Sequence, residues 1–288
     1  MAFLKDALKY EKTVELSHGT TRYIEMGDGP PVILLHGPGL TAGANTWLLN
    51  IEPLAAFGLR VLAVDEVGFG LGGRLELPFS FGYIVDFVRE FQDALDLESS
   101  HVVGWSGGGW EAALLAYESP QRVDRLVLVA AGGTQTRPLS QMVEFKPPTY
   151  EEHMAETTAR YDGLVSSEEA TEWANFDWRN AEAPDAVAGH QRLLSHMLHP
   201  ETRNRYSTVR RLPKVKHETL IVWGDNDRVN NVAMGNEIDE LMPNSKLVIF
   251  EGVDHGPPLE VPDKFNDLVG RFLVGGLPRG LRRQSRSN

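Results

Sequence analysis

Short apolar runs alternate along this chain with longer stretches in which apolar residues recur every three or four positions. Runs of four to eight apolar residues read as buried strands, and the three-to-four spacing reads as the inward stripe of a helix. Two alternating runs at 13–16 and 21–25 predict a hairpin turning near His18-Gly19. From Pro31 the pattern becomes strand, loop, helix, repeated: strands at 32–35, 60–65, 101–105 and 123–130, with helices at 45–57, 81–95 and 110–117. That order predicts a parallel sheet covered by helices on both faces. The rhythm stops at about Thr134 and resumes near Leu212. The residues between hold many charges, four histidines (His153, His190, His196, His199) and helical spacing, with no convincing strand. Strands return at 219–223 and 246–250, separated by a helix at 232–241 and followed by one at 262–274. The expectation is an α/β fold with a mostly parallel eight-stranded sheet, flanking helices and a helical insertion after the sixth strand. Residues 1–133 and 213–288 form the core domain in this reading, and 134–212 a lid.

The run Val102-Val103-Gly104-Trp105-Ser106-Gly107-Gly108-Gly109-Trp110 changes the picture most. An apolar strand feeds G-x-S-x-G and a helix rich in alanine and leucine follows, the order of a nucleophile elbow. Such a turn strains the serine backbone and crowds its flanks, so small neighbours are needed, and Gly104, Gly107 and Gly108 supply them. A serine hydroxyl also needs a base to take its proton and an acid to orient that base. The strand at 219–223 ends in Gly224-Asp225-Asn226-Asp227-Arg228, and the strand at 246–250 ends in Glu251-Gly252-Val253-Asp254-His255-Gly256. Asp227 is preferred as the acid because it lies further into the loop, whereas Asp225 suits a bond to the turn backbone. His255 falls at the sheet edge where open parallel sheets place their ligands. An oxyanion needs two backbone N–H groups. Gly107 is expected to give one, and the loop His36-Gly37-Pro38-Gly39-Leu40 the other. Pro38 has no N–H, which leaves Gly39 or Leu40, with Gly39 preferred; His36 is read as a brace for this loop.

Composition narrows the function classes. The chain has 288 residues, 42% hydrophobic and 24% charged, enough for a full core. Its net charge of −12 argues against nucleic acid and against an anionic membrane surface as partners. With no cysteine there is no disulfide, thiolate nucleophile or cysteine metal site. The opening MAFLKDALKYEK is too polar for a signal peptide, so a cytoplasmic address is expected. The arginines of the tail (Arg279, Arg282, Arg283, Arg286) read as a frayed terminus. No metal or organic cofactor is implied, the partner expected is a small-molecule substrate, and a homo-oligomer is compatible with all of this.

Together, His36-Gly37, the loop from Asp65 to Gly70, the elbow, Gly224 to Asp227, and His255 through Glu260-Val261-Pro262 resemble the α/β-hydrolase superfamily over nearly the whole chain. Ser106 separates the chain from relatives with an aspartate nucleophile. Within the superfamily it is similar to the meta-cleavage-product hydrolases, which break a carbon–carbon bond in vinylogous 1,5-diketone acids. That similarity rests on the run Asn50-Ile51-Glu52-Pro53-Leu54, the stretch Gly58-Leu59-Arg60-Val61-Leu62, the loop at 41–47 and the position of the insertion. The resemblance implies a lid arginine on the substrate carboxylate, expected at Arg179. Trp178, in the apolar roof expected of the lid, and Trp105, beside the serine, are the further substrate contacts expected. The chain departs from that family at Trp105, where asparagine is usual, at Gly107, where methionine is usual, and at Gly256, where tryptophan is usual. Its oxyanion loop is also one residue shorter. The implied reaction is attack by Ser106 on a carbonyl carbon with His255 as proton relay. A carboxylesterase or lactonase, a slow-turnover ligand receptor and a cofactor-free dioxygenase remain alternatives on the same fold.

Overall fold

The computed structural model describes residues 7–73, 80–135 and 145–276; the tail arginines, the first six residues and part of the insertion lie outside them. The expected hairpin is β1 (Glu11–Leu16) against β2 (Gly19–Met26). The remaining strands are β3 (Pro31–Leu35), β4 (Arg60–Val64), β5 (Ser100–Trp105), β6 (Val123–Val129), β7 (Thr219–Gly224) and β8 (Ser245–Phe250). They form one eight-stranded sheet in the order β1-β2-β4-β3-β5-β6-β7-β8. β1, β2 and β4 pair antiparallel, and every other pairing is parallel.

The apolar runs are continuous because the inner strands are covered on both faces. Val32, Ile33, Leu34 and Leu35 are all fully buried, and alternate residues serve opposite cores. Ile33, Leu35, Val102, Leu126, Leu128 and Ile221 face one side, packed with helices α2 (Phe81–Ala94) and α3 (Gly107–Glu118). Val32, Leu34, Val103, Val127, Val129 and Val222 face the other, against α1 (Leu48–Ala55) and the C-terminal helix Pro262–Gly275.

Two helix boundaries differ from expectation for identifiable reasons. The predicted helix at 45–57 is a 3-10 turn, Ala44–Trp47, followed by the shorter α1, with Pro53 inside it. Pro53 has no N–H for the Leu49 carbonyl. Asn266 Nδ2, from the C-terminal helix, donates to that oxygen instead at 2.8 Å, and Asn50 Nδ2 donates to Asn266 Oδ1 at 2.8 Å. Helix α3 begins at Gly107, three residues before its apolar pattern becomes visible, because the helix start is pressed against neighbouring backbone. A Cβ on Gly108 would lie 2.5 Å from Leu35 O and 2.6 Å from His36 O; one on Gly109 would lie 2.6 Å from Ala131 Cβ. Glycine is a poor helix former but the only residue that fits there.

Between β6 and β7 the described chain forms α4 (Tyr150–Arg160), α5 (Ser167–Glu182), α6 (Ala186–Leu198) and α7 (Pro200–Tyr206). Capping boxes open two of these: Thr149 with Glu152, and Ser166 with Glu169. Tyr161, Trp173 and Phe176 join one core, and Leu193 and Met197 the other, so the insertion is packed into the body of the protein. The described residues finish with α8 (Val232–Leu241), α9 (Pro257–Glu260) and α10 (Pro262–Gly275). Among the described residues no helix is long and apolar enough to cross a membrane.

The tight approach of β5 to α3 gives a stability prediction. A Cβ at Gly104 would collide with the Gly108 carbonyl. Gly104→Ala should therefore cost roughly 2–4 kcal/mol, read as a lowered thermal midpoint. An unchanged midpoint would show that the turn has room to relax.

Candidate active site

Ser106 sits between β5 and α3 with φ 58° and ψ −112°, a conformation side-chain-bearing residues rarely adopt. Three backbone bonds hold it there: Ser106 N–H donates to Val129 O at 2.9 Å, and Ser106 O accepts from Gly132 N at 2.9 Å and Trp110 N at 3.2 Å. The strain is thus fixed by the neighbouring strand end and by the helix behind.

Asp227 and His255 come from the loops after β7 and β8. Asp227 is 5% exposed. Its Oδ2 accepts from His255 Nδ1 at 2.9 Å, while Oδ1 accepts from the Val229 and Asn230 amides at 2.8 and 2.7 Å. Asn230 is tied down in turn, donating through Nδ2 to Ala130 O at 2.7 Å and accepting from the Trp223 indole at 2.7 Å. This arrangement fixes the histidine tautomer with Nδ1–H toward the acid and Nε2 available as a base. Asp225 instead accepts from the Gly252 amide at 2.7 Å, closing the two loops against each other.

The histidine loop has its own supports. Trp105 Nε1 donates to His255 O at 2.8 Å, and the Gly256 and Asp254 amides donate to the two oxygens of Glu260 at 2.8 Å each. Trp105, directly before the serine, therefore positions His255 as well as lining the cavity.

Ser106, His255 and Trp105 open on one cavity of about 320 Å³. Its walls come from the loop after β3 (Gly37, Pro38, Thr41, Asn45), from Val229 and Leu259, and from the insertion (Arg160, Tyr161, Asp177). Gly107 opens α3, so its N–H is one of the first-turn amides without an intrahelical acceptor. The second expected donor is corrected: the Gly39 N–H donates to Gly37 O at 2.9 Å. What faces Gly107 across the cavity is Pro38, whose Cδ would lie 2.7 Å from a Cβ on Gly107. His36 braces this loop, its Nδ1 donating to Gly37 O at 2.9 Å and its Nε2 accepting from the Glu66 amide at 3.2 Å. Beneath it, Glu66 and Glu111 are both buried. Burial, with Glu66 second, pushes the Glu111 carboxyl well above the usual range.

Two expected substrate contacts are also corrected. Arg179 is exposed, its guanidinium lying 4.1 Å from the Phe176 ring centroid, and it does not line the cavity. Trp178 donates to Glu182 at 3.0 Å and meets the rings of Tyr150 and His153 instead of the cavity. Among the described residues of the insertion, the cation lining the cavity is Arg160, at the end of α4, paired with Glu156 at 2.6 Å. Beside it lies an unforeseen acid, Asp177, which accepts from Asn45 Nδ2 at 2.6 Å. Burial raises its carboxyl to about 7 against the pull of Asn45, Arg160, Trp173 and Arg22. Asn180 completes the cluster, donating to Thr41 O at 2.8 Å and Asn45 Oδ1 at 3.0 Å. Among the described residues no group of three or more histidine, aspartate or glutamate side chains could hold a metal ion.

The α/β hydrolase fold family matches residues 30–262. The chain belongs to that family. It is 31% identical, over 88% of its length and 92% of the relative's, to a 2-hydroxy-6-oxo-2,4-heptadienoate hydrolase of Pseudomonas putida. It is 27% identical to a 2-hydroxy-6-oxo-6-phenylhexa-2,4-dienoate hydrolase of Burkholderia cepacia, over 88% and 90% of the two chains. Among solved structures it is similar to a meta-cleavage product hydrolase of Pseudomonas fluorescens: TM-score 0.78 and 29% identity, covering 94% of this chain and all of the other. The chain is thus an α/β-fold hydrolase, and the geometry around Ser106 is to be read as that of a hydrolase.

Two outcomes follow for the site. Asp227→Asn should lower kcat by about four orders of magnitude, because the imidazole tautomer is lost, while Asp225→Asn leaves kcat near wild type. Equal losses would remove the distinction between the two acids. Pro38→Ala restores an N–H opposite Gly107, and should raise kcat on an activated ester at least about tenfold. No change would place the second donor elsewhere.

Proposed function

We propose that this protein hydrolyses a carbon–carbon bond in a small 2-hydroxy-6-oxo-dienoate. The observation that carries the reading is the Asp227–His255 bond at 2.9 Å, with His255 lining the same cavity as Ser106. The relatives supply the substrate class: both curated proteins above are hydrolases of such dienoates.

In this reading the substrate enters as the dienol and is first ketonised, so that cleavage expels a stabilised carbanion. Ser106 Oγ attacks the ketone carbon while His255 Nε2 takes its proton, and Asp227 stabilises the imidazolium. The Gly107 N–H holds the oxyanion. When the carbon–carbon bond breaks, its electron pair stays with the carbanion, which takes the proton from His255. A water molecule, deprotonated by His255, then releases the acyl group from Ser106 and regenerates the free serine. No metal or organic cofactor enters these steps.

Arg160 is the cation that suits the dienoate carboxylate, in place of the outward-facing Arg179. Residues 134–212 act as a lid domain in this reading and the rest as the catalytic core. It also includes a cytoplasmic address, in keeping with a chain that has no cysteine, and a small-molecule substrate as partner, with neither nucleic acid nor membrane, a homo-oligomer being compatible with it. One observation favours an esterase or lactonase as the second reading: the acid Asp177 shares the cavity wall with Arg160 and, when ionised, disfavours a substrate carboxylate.

Turnover of 2-hydroxy-6-oxo-6-phenylhexa-2,4-dienoate, followed by loss of its colour, and of a 4-nitrophenyl ester separates the two. The expected result is a higher kcat/KM for the dienoate, abolished in Ser106→Ala. Arg160→Gln should raise KM for the dienoate about tenfold, the loss of one charge-assisted contact, and Arg179→Gln should not. Ester turnover alone would overturn the carbon–carbon reading.

A further inference from the structure

A carboxyl group in a substrate cavity decides which charges that cavity accepts, and Asp177 is placed to do so. It projects from α5 into the cavity that holds Ser106, on the wall it shares with Asn45 and Arg160. One oxygen is already held, Oδ1 accepting from Asn45 Nδ2 at 2.6 Å. The residue is 8% exposed, so an ionised carboxylate there is poorly hydrated and depends on its neighbours.

Those neighbours bring one cation to the cavity wall, Arg160, beside groups that are neutral or engaged elsewhere. From α4, Arg160 is paired with Glu156 at 2.6 Å. From β2, Arg22 is engaged by both oxygens of Asp65, at 2.7 and 2.8 Å, and by Glu11 at 3.5 Å. Tyr161, after α4, has its phenol pushed up by burial first and by Asp177 second, so it stays neutral. Trp173 on the same helix is an uncharged donor, and Arg179 lies outward over Phe176. Across the cavity stands His255, already bound to Asp227. Among the described residues lining the cavity, Arg160 is the cation, and ionising Asp177 cancels its charge on that wall.

We propose that Asp177 is the residue that sets substrate charge: as the neutral acid it donates a hydrogen bond to an anionic substrate group, and as the carboxylate it turns that anion away in favour of an uncharged one. The identity of the anionic group, a dienoate carboxylate, rests on the function proposed above; the selection itself does not. Burial raises the Asp177 carboxyl to about 7, so both forms are populated near neutral pH. The sign is fixed by linkage: the acid form prevails below about 7 and favours the anion, and affinity for the anion falls as pH rises through that value.

The test uses the Ser106→Ala protein, which holds substrate without turnover. Binding of the phenyl dienoate and of its methyl ester is measured from pH 6 to 8.5 by the absorption change. With Asp177 present, the acid-to-ester affinity ratio should fall at least about tenfold between pH 6.5 and 8.5, approaching tenfold per unit above the titration. With Asp177→Asn added, the variant keeps Oδ1 as acceptor for Asn45 and the ratio should hold level. Ionisation of the substrates is common to both proteins and cancels in the comparison. A role confined to packing would move both ligands together and leave their ratio unchanged; that result, or the same fall in the protein carrying Asp177→Asn, overturns the proposal. Should Asp177→Asn fail to fold, Asp177→Ser, which also cannot ionise and keeps an oxygen acceptor, takes its place in the same comparison.

Failure of the carbon–carbon reading is recognised separately, as no turnover of either dienoate by the protein with Ser106 intact. The same charge test then runs on two 4-nitrophenyl esters, a hydrogen glutarate and a pentanoate. Their kcat/KM ratio should fall with pH in the same way, and a level ratio overturns the proposal.

Discussion

Close backbone contact where β5 meets α3 is the constraint on which this structure depends. Gly108 and Gly109 approach Leu35, His36 and Ala131 at distances no side chain tolerates. That approach brings the ends of β3, β5 and β6 together, and the bonds to Val129 O, Gly132 N and Trp110 N then hold Ser106 in its strained turn. The loop after β3 and the start of α3 are adjacent for the same reason, with Gly108 N–H donating to His36 O at 3.1 Å. The serine, the Gly107 amide and the cavity wall at Gly37 and Pro38 are thus consequences of a single packing arrangement.

Around this apolar frame, three clusters of buried polar groups lie near the loop after β3. Arg22 with Asp65 forms one cluster, Glu66 with Glu111 another, and Asp177 with Asn45 and Asn180 a third. Buried charges add little net stability, since desolvation offsets attraction. They do fix geometry: Asp65 Oδ1 also accepts from the Ala44 amide at 2.7 Å, and Oδ2 from the Leu71 amide at 2.9 Å. Arg22, Asp65 and the asparagines therefore set the path of the segment that carries Thr41 and Asn45 into the cavity. The insertion is locked to that segment through Asp177 and Asn180, which couples the roof of the cavity to its floor.

The strands, the elbow and the choice of Asp227 over Asp225 were legible because each depends on local pattern: apolar runs, a glycine-flanked serine, and position beyond a strand end. The failures concern which way a side chain faces. Arg179 was placed by its position along the chain, yet successive helical residues turn about 100°, so Asp177 and Arg179 lie on nearly opposite faces of α5. Ala170, Trp173, Ala174, Asp177 and Asn180 follow three-to-four spacing and are all buried. That stripe was present in the sequence and would have pointed Asp177 inward. Gly39 failed for another reason: its N–H closes on Gly37 O, a turn that no residue pattern announces. Arg160 could be found only from the fold, because it ends a different helix.

Covalent labelling of Ser106 tests the central claim, that Asp227 and His255 activate this serine, most directly. The protein is treated with an alkyl fluorophosphonate and its mass and labelled peptide are determined, beside His255→Ala. The expected result is a single adduct on Ser106 that forms rapidly in the wild type and is lost in His255→Ala. Labelling that is absent, or equally fast without His255, would contradict it.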